Sequence, residues 1–450
     1  MNTKSNFSSR LGFVLATAGS AVGLGNIWRF PYLAAKYGGG SFLLIYIILA
    51  VTFGFTLMIT ELAIGRKTGK SVIGAFTSLD KRFSFLGYLA GIVPMIILPY
   101  YCVIGGWVIK YGTLFISGQT DFAAADGTFN SFISGTAGPL SYFFLFIALT
   151  AIIVFLGVEK GVEKVSKLLM PLLVVLTIGI AIYVLNVDGA MAGVKYYLTP
   201  DFSKISMNAV CAAMSQLFYS MSIAMGILVT YGSYMKKEDD LGKSVVQIEI
   251  FDTGIAFLAA LIIIPAVFAF SGGDPATLGA GPSLMFIALP KVFASMKMGG
   301  FIGTAFFILV FFAALTSSIS LMETIVSIFM EKLNWARKKT CTVVLIISLL
   351  LGIPSALGYG AWGTVKIIGM QFLDFFDFIS NSVIMPIVAF FTCLFVGYVI
   401  KPKAIHDEVT ASGKFSRYGL YCVMVKYIAP ILLLAILISG ILNVFGVISL

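Results

Sequence analysis

The groups best able to do chemistry in this chain are oxygens set where the sequence is otherwise apolar. Gly19-Ser-Ala-Val-Gly-Leu-Gly-Asn26 breaks the first long hydrophobic run with three glycines, a serine and an asparagine. Glycine weakens a helix interior and lets backbone approach a ligand closely. In lipid, such a break is tolerated only where the freed carbonyls and amides are buried in protein or line a cavity. Tyr219-Ser-Met-Ser-Ile-Ala-Met-Gly226 is a second interruption of the same kind. Ala313-Ala-Leu-Thr-Ser-Ser318 adds hydroxyls to a third apolar run, with Ala313, Thr316 and Ser317 on one helix face. Asp252 lies in a run without a basic residue, where a charge costs about 2.5 to 3.5 kcal/mol on insertion scales. Together these point to an ion and solute site near the bilayer midplane. Catalysis has little to work with. His406 is the only histidine and lies in a charged loop. Cys102, Cys211, Cys341, Cys393 and Cys422 fall at unrelated spacings, giving neither a zinc pattern nor a disulfide frame. The chain does not read as an enzyme.

The elements that must position these groups are membrane spans. The chain has 450 residues, 59% of them hydrophobic and 11% charged, with a mean hydropathy of +1.01, values that exclude a soluble domain. Eleven apolar runs begin near Leu11, Phe42, Leu86, Leu140, Leu168, Asn208, Val245, Phe301, Cys341, Gly369 and Val425. The first lacks a small-residue cleavage site and reads as a retained span, not a signal peptide. The net charge of +10 does not indicate nucleic acid, because the cations collect in alternate loops. Arg66, Lys67, Lys70, Lys81 and Arg82 follow the second span, and Lys160, Lys164 and Lys167 the fourth. Lys236, Lys237 and Lys243 follow the sixth, Arg337 to Lys339 the eighth, and Lys401, Lys403, Lys414 and Arg417 the tenth. Residues 114 to 138 contain no cation. This pattern places the N-terminus in the cytoplasm and, with an odd number of spans, the C-terminus outside.

The chain also divides into halves. The break at Gly23 has its counterpart at Tyr219 to Gly226. Pro94 to Tyr101, with two prolines and two tyrosines, corresponds to Ala313 to Ser318. Five spans separate the breaks, so the halves are inverted in the membrane. Interrupted spans at matching places of inverted halves mark the central site of a transporter. Close helix packing at small residues, such as the Gly19 and Gly23 pair, is the plainer explanation of any one break.

With those residues in place, the chain resembles a bacterial member of the neurotransmitter:sodium symporter family. The resemblance runs from about Phe7 to the end. It rests on Ala21-Val-Gly-Leu-Gly-Asn-Ile-Trp-Arg-Phe-Pro31, Gly38-Gly-Gly40, Glu61 with Gly65-Arg66, Glu159-Lys-Gly-Val-Glu163 and Leu315-Thr-Ser-Ser318. It implies an all-α polytopic membrane protein of about eleven transmembrane helices. Two five-helix inverted repeats, 1–187 and 188–400, with discontinuous first and sixth helices, precede a loop and last helix at 401–450. The family often has a twelfth span.

The resemblance also implies roles. A first sodium site would use Ala21, Asn26, Ser220 and Asp252, completed by the substrate carboxylate. A second would use carbonyls of Gly19, Val22 and Ala313 with the hydroxyls of Thr316 and Ser317. An amino-acid substrate would place its carboxylate at Ala21, Gly23, Leu24 and Gly25, at the positive end of the second half-helix, beside the Tyr101 hydroxyl. Its ammonium would meet carbonyls near Tyr219 and Ser222. Ile97, Tyr219, Ser220, Ser222, Met225, Ser317 and Leu321 would line the side-chain pocket, an apolar surface suited to hydrophobic or aromatic L-amino acids. Many relatives have asparagine at the place of Asp252 and bind chloride nearby. Tyr46, Gln216 and Ser220 match that chloride site, and Asp252 is expected to supply the charge instead. Proton coupling through Asp252 is the alternative. Arg29 and Asp377 would form the outer gate with Tyr101 and Tyr219. Lys4 and Glu331, beside Phe7, Ser233 and Tyr234, would form the inner one. Glu61 would cap backbone freed at the second break. The expected setting is the inner membrane, with lipid, sodium and a small amino acid as partners and no nucleic acid.

Overall fold

The computed structural model describes residues 6–271 and 281–444. Every named element within them is helical. Among the described residues, nine helices are long and apolar enough to cross a bilayer: Gly40–Thr68, Lys81–Ile116, Ala137–Phe155, Val158–Leu185, Leu241–Ser271, Gly299–Leu333, Arg337–Leu357, Phe372–Val399 and Tyr418–Val444. The first expected span is a bent pair, Arg10–Ala21 and Gly25–Lys36, turned by 54° at the break. The sixth is two short helices, Met207–Ser220 and Ile227–Tyr234, neither long enough to cross alone. With these two broken spans the count reaches the expected eleven, and ordinal numbers below follow that order.

Burial sorts the spans. The third and eighth are each 78% buried and form the centre, whereas the fifth and eleventh are 33% buried. Those outer spans nevertheless keep mean hydropathies of 2.7 and 2.3. Leu168, Val175, Ile182 and Ile431 face outward. Apolar side chains on the outside as well as the inside identify lipid as the surrounding solvent.

Opposing pairs run antiparallel. Arg29 bonds to Ser215, Gly25 to Gln216, Ser20 to Ser222 and Phe7 to Tyr234, so numbers fall along the first span as they rise along the sixth. The third and eighth spans behave alike: Gly91 meets Ile328, Tyr111 meets Phe307 and Gly303 meets Phe115. Each break therefore lies against the other, in neighbours of opposite direction. The cation-bearing loops gather at one end. Arg66 pairs with Glu408 at 2.8 Å and donates to the Asp239 carbonyl, while Lys236 donates to the Ser8 carbonyl. At the other end Ser41 donates to the Asp201 carbonyl and Lys291 pairs with Asp126.

Candidate functional site

A break in a buried helix leaves backbone groups that must find partners. At the first break the Gly23 amide donates to Asn26 Oδ1 at 3.1 Å, and the Leu24 amide to the Tyr101 hydroxyl at 3.4 Å. Gln216 Nε2 donates to the Gly25 carbonyl at 3.0 Å. The Ser317 hydroxyl faces the carbonyls of Gly19 (3.3 Å), Ser20 (3.1 Å) and Val22 (3.5 Å). The second break, 221–226, is sharper. Ser222, Ala224 and Gly226 all have left-handed φ, of 54°, 62° and 71°. For a serine and an alanine that conformation costs roughly 1 kcal/mol or more each. It is held from outside: the Ser222 hydroxyl donates to the Ser20 carbonyl at 3.0 Å and the Ala224 amide to Glu61 Oε1 at 2.8 Å. The latter is the capping expected of Glu61.

Between the breaks lies a cavity with about 350 Å³ of non-atom space. Ala21, Gly23, Leu24 and Gly25 of the first break border it, and Tyr219, Ser220, Ser222 and Met225 of the second. Ile97 and Tyr101 of the third span and Ser317 and Leu321 of the eighth close its sides. All twelve residues expected around a substrate thus surround one space. Ser20, Asn26 and Ile227 border it as well. Two glycines are required by contact. A Cβ on Gly23 would lie 2.9 Å from Ser317 Oγ and 3.1 Å from the Tyr101 hydroxyl; one on Gly25 would lie 2.8 Å from the Tyr219 ring.

Asp252 is fully buried at one edge of this space. Asn26 Nδ2 donates to its Oδ1 at 2.7 Å, Ser220 Oγ to both oxygens at 2.8 and 2.9 Å, and the Tyr46 hydroxyl to Oδ2 at 3.4 Å. Its carboxylate therefore sits between Tyr46 and Ser220, two of the three residues that match a chloride site. At the opposite edge Thr316 Oγ1 bonds to the Ala313 carbonyl at 3.1 Å. A Cβ on Gly19 would be 3.1 Å from Thr316 Cβ. Gly19, Val22, Ala313, Thr316 and Ser317 are thus neighbours, and their carbonyls and hydroxyls are hard oxygen donors of the kind a small cation needs.

The model of the sodium:neurotransmitter symporter family matches residues 4–135 and 133–447. The chain belongs to this family. Uncharacterised sodium-dependent transporters of Haemophilus influenzae and Bacillus subtilis are 35% and 33% identical, over 97% and 98% of this chain and 98% of each relative. The crystal structure of MhsT in complex with L-phenylalanine matches with a TM-score of 0.88 and 39% identity, over 97% of this chain and all of that one. The protein is a sodium-dependent symporter-family transporter with the discontinuous-helix fold, not an enzyme, and sodium is its co-substrate.

The residues expected to form gates are arranged less simply than the resemblance implies. Arg29 and Asp377 line one vestibule of about 1280 Å³ with Tyr100, Tyr219 and Asn381. They form no ion pair there. Arg29 donates to Ser215 Oγ at 2.9 Å and lies 5.8 Å from the Tyr219 ring centre. Asp377 accepts from Tyr100 at 3.0 Å and Asn381 at 2.6 Å. Asp374 lines the same vestibule and accepts from Tyr359 at 2.9 Å. At the cation-rich end Phe7 packs edge-on against Tyr231 and Tyr234, and its amide donates to the Tyr234 carbonyl at 3.2 Å. Lys4 lies outside the described residues. Glu331 accepts from the Ser71 amide at 2.6 Å, at the start of the helix Val72–Leu79. A backbone amide at a helix start is a fixed, strong partner for a carboxylate, which explains the placement. The carboxylate bonded to Tyr234 is Glu323, at 3.0 Å, itself paired with Arg337.

Four residues escaped the sequence reading. Ser20 lay inside the first break without a role. Tyr100 was hidden by its neighbour Tyr101. Glu323 is an acid within a span, the signal that singled out Asp252. Glu163 closes the quoted motif Glu159 to Glu163 and accepts from the Ser8 amide (2.7 Å), the Ser8 hydroxyl (2.5 Å) and the Ser9 hydroxyl (3.2 Å), tying down the N-terminal segment.

Proposed function

We propose that this transporter imports hydrophobic or aromatic L-amino acids with sodium, by alternating access and without chloride. The observation that carries the reading is the single cavity between the two breaks. Its lining combines polar backbone and hydroxyls with the apolar Ile97, Met225 and Leu321, and Asp252 lies behind it, bonded to the lining residues Asn26 and Ser220. An amino acid needs those features together: amides and Tyr101 for its carboxylate, carbonyls near Tyr219 and Ser222 for its ammonium, and an apolar wall for its side chain. Gly23 leaves room for a substrate that brings its own carboxylate. Met225 is an adaptable surface, and an apolar pocket discriminates one methylene by only about 1 to 3 kcal/mol, so a range of side chains is accepted. That MhsT binds L-phenylalanine in a structure of this fold supports the substrate class.

The first sodium would be held by Ala21, Asn26, Ser220 and Asp252 with the substrate carboxylate, the second by Gly19, Val22, Ala313, Thr316 and Ser317. Asp252, held between Tyr46 and Ser220, supports chloride independence by supplying a fixed negative charge where an anion would otherwise be needed. Two sodium ions with a zwitterion carry two charges; at 100 mV the membrane potential contributes roughly 2 × 2.3 kcal/mol. Arg29 and Asp377 would approach when the vestibule closes, and Phe7 and Tyr234 would part when the other end opens. The cation-rich end would face the cytoplasm of an inner membrane, with 1–187 and 188–400 as the inverted halves. Uptake of a radiolabelled amino-acid panel into vesicles tests this directly. Accumulation of phenylalanine or leucine driven by sodium, with chloride replaced by gluconate, is the expected result. Uptake driven by a proton gradient without sodium would establish Asp252 as a proton carrier and overturn the sodium reading.

A further inference from the structure

A second, larger cavity lies at the cation-rich end, away from the transport site. It has about 1400 Å³ of non-atom space and opens between the start of the first helix, the start of the seventh span and the loop at 412–417. Arg10, Lys243, Lys414 and Arg417 line it, with Asp240 the one acid among its lining residues. Arg10 is held in place by neutral partners, Nε to Ser244 Oγ at 3.2 Å and Nη2 to Gln247 Oε1 at 2.8 Å. Arg417 donates to the Val51 carbonyl at 3.2 Å and lies 4.7 Å over the Phe55 ring and 3.8 Å from Glu249. Lys243 is 3.5 Å from Asp240. Counting Asp240, Glu249 and Asp239, which lies within electrostatic reach of Arg10, against the four cations, the site keeps an excess of one positive charge, and two of its guanidiniums are fixed by hydrogen bonds. Such a cluster is complementary to a phosphate.

One turn deeper, between the second and seventh spans, the surface turns largely apolar. A groove of about 640 Å³ runs along Ile47, Ala50 and Val51 of the second span and Ile250, Gly254 and Phe257 of the seventh, with Thr253 and the Glu249 carboxylate, 3.8 Å from Arg417, also in its lining. Ile47, Val51 and Ile250 are exposed on the lipid side. Val51 lies one turn from Phe55, and Ile250 one turn from Val246, so the charged cavity and the apolar groove share their walls. A phosphate site continuous with a lipid-facing groove, at the mouth of the bundle, matches an amphiphile better than a soluble anion.

We propose that this cavity holds the phosphate of an anionic phospholipid of the cytoplasmic leaflet, with an acyl chain along Ile47, Val51 and Ile250. Arg10 is the first residue of the helix Arg10–Ala21. A bound lipid would therefore brace that helix against the seventh span and favour the closed inner end. This consequence rests on the alternating-access reading, whereas the binding does not, so the test reads binding.

The experiment is lipid retention by the purified full-length protein in native mass spectrometry, from mixtures of phosphatidylglycerol and phosphatidylcholine. The wild type retains phosphatidylglycerol in preference, less so as salt rises. The double variant Lys243→Gln, Lys414→Gln loses about thirtyfold of that preference, roughly fivefold for each cation. No preference in the wild type, or an equal preference in the folded variant, overturns the proposal. Acylation of wild-type lysines gives a second measurement that needs no variant. Lys243 and Lys414 are protected in phosphatidylglycerol vesicles and not in phosphatidylcholine vesicles with inorganic phosphate added. Equal protection by inorganic phosphate assigns a soluble-anion site and overturns the lipid.

Discussion

Replacing Asp252 by asparagine separates the charge of this residue from its shape. The carboxylate accepts from Asn26 Nδ2, Ser220 Oγ and the Tyr46 hydroxyl at 2.7 to 3.4 Å. An asparagine is isosteric: its oxygen can keep the bond from Asn26, and its amide can donate to the Ser220 or Tyr46 oxygen. The fold should therefore survive. A buried charge in a span carries a cost of about 2.5 to 3.5 kcal/mol, so the sodium-free variant should be at least as thermally stable as the wild type. Sodium binding should suffer. Two unit charges about 4 Å apart interact by about 4 kcal/mol at an effective dielectric of 20, an upper bound once the retained oxygen ligand is allowed for. About half of that, roughly 2 kcal/mol, raises the sodium dissociation constant about thirtyfold. Chloride should then restore part of the loss, because Tyr46 and Ser220 are left facing a site without negative charge. The assay is sodium titration of radiolabelled phenylalanine binding to purified wild type and Asp252→Asn, each in chloride and in gluconate. A wild type that requires chloride, or a variant with unchanged sodium affinity in both salts, refutes the reasoning.

Other perturbations follow from particular contacts. Gly23→Ala puts a methyl 2.9 Å from Ser317 Oγ and 3.1 Å from the Tyr101 hydroxyl, in the space assigned to the substrate carboxylate; equilibrium binding of amino acid should fall at least tenfold, and normal affinity would place the carboxylate elsewhere. Ser317→Ala removes the hydroxyl facing the carbonyls of Gly19, Ser20 and Val22 and should weaken sodium binding by about 1 to 3 kcal/mol; an unchanged sodium dependence of amino-acid binding argues against a cation role. Glu163→Ala removes three bonds to Ser8 and Ser9 and should speed amide hydrogen exchange in residues 10–21, with the third and eighth spans unaffected; unchanged exchange there would show that the remaining contacts of Phe7, Ser8 and Arg10 suffice to hold the N-terminal segment.

The sequence made the breaks readable because glycine, serine and asparagine inside an apolar run conflict with a continuous helix whatever surrounds them. The lining residues were readable because the family resemblance fixed four short segments, and the antiparallel packing of those segments brings all twelve around one space. What stayed hidden was the choice of partner. Nothing local says that Glu331 would sit on the Ser71 amide while Glu323 takes Tyr234, since both carboxylates lie near the end of the same helix. Nothing local says that Ser222 and Ala224 would take left-handed φ, because the residues that hold them, Glu61 and Ser20, come from other spans. Charge identity is written in the chain; charge pairing depends on distances that only the folded bundle sets.

The two ends of the pathway differ in how they are shut, and the difference bears on how the ions could drive transport. Toward the cation-poor end, the Tyr219 ring lines both the central cavity and the vestibule, and beyond it Arg29 and Asp377 keep separate partners. For Arg29 to reach Asp377 it exchanges a charge-assisted bond to Ser215, worth about 1.5 to 3 kcal/mol, for an ion pair in an open vestibule, worth about 0 to 1 kcal/mol. That exchange is unfavourable by a small margin, which substrate contacts at Tyr219 would have to supply. The other end is shut by directional bonds and ring contacts at Phe7, Ser8 and Tyr234, which no such exchange offsets. Phe7 and Ser8 immediately precede the helix Arg10–Ala21, of 12 residues and so about 18 Å long. Its far end is the row of carbonyls at Gly19, Ser20 and Val22 that faces Ser317. A cation bound at the proposed second site would tie that end to the eighth span, beyond the bonds it already makes to Ser222 and Ser317. Release of sodium from that proposed site, more than from the proposed first one, is therefore the step expected to loosen the inner end.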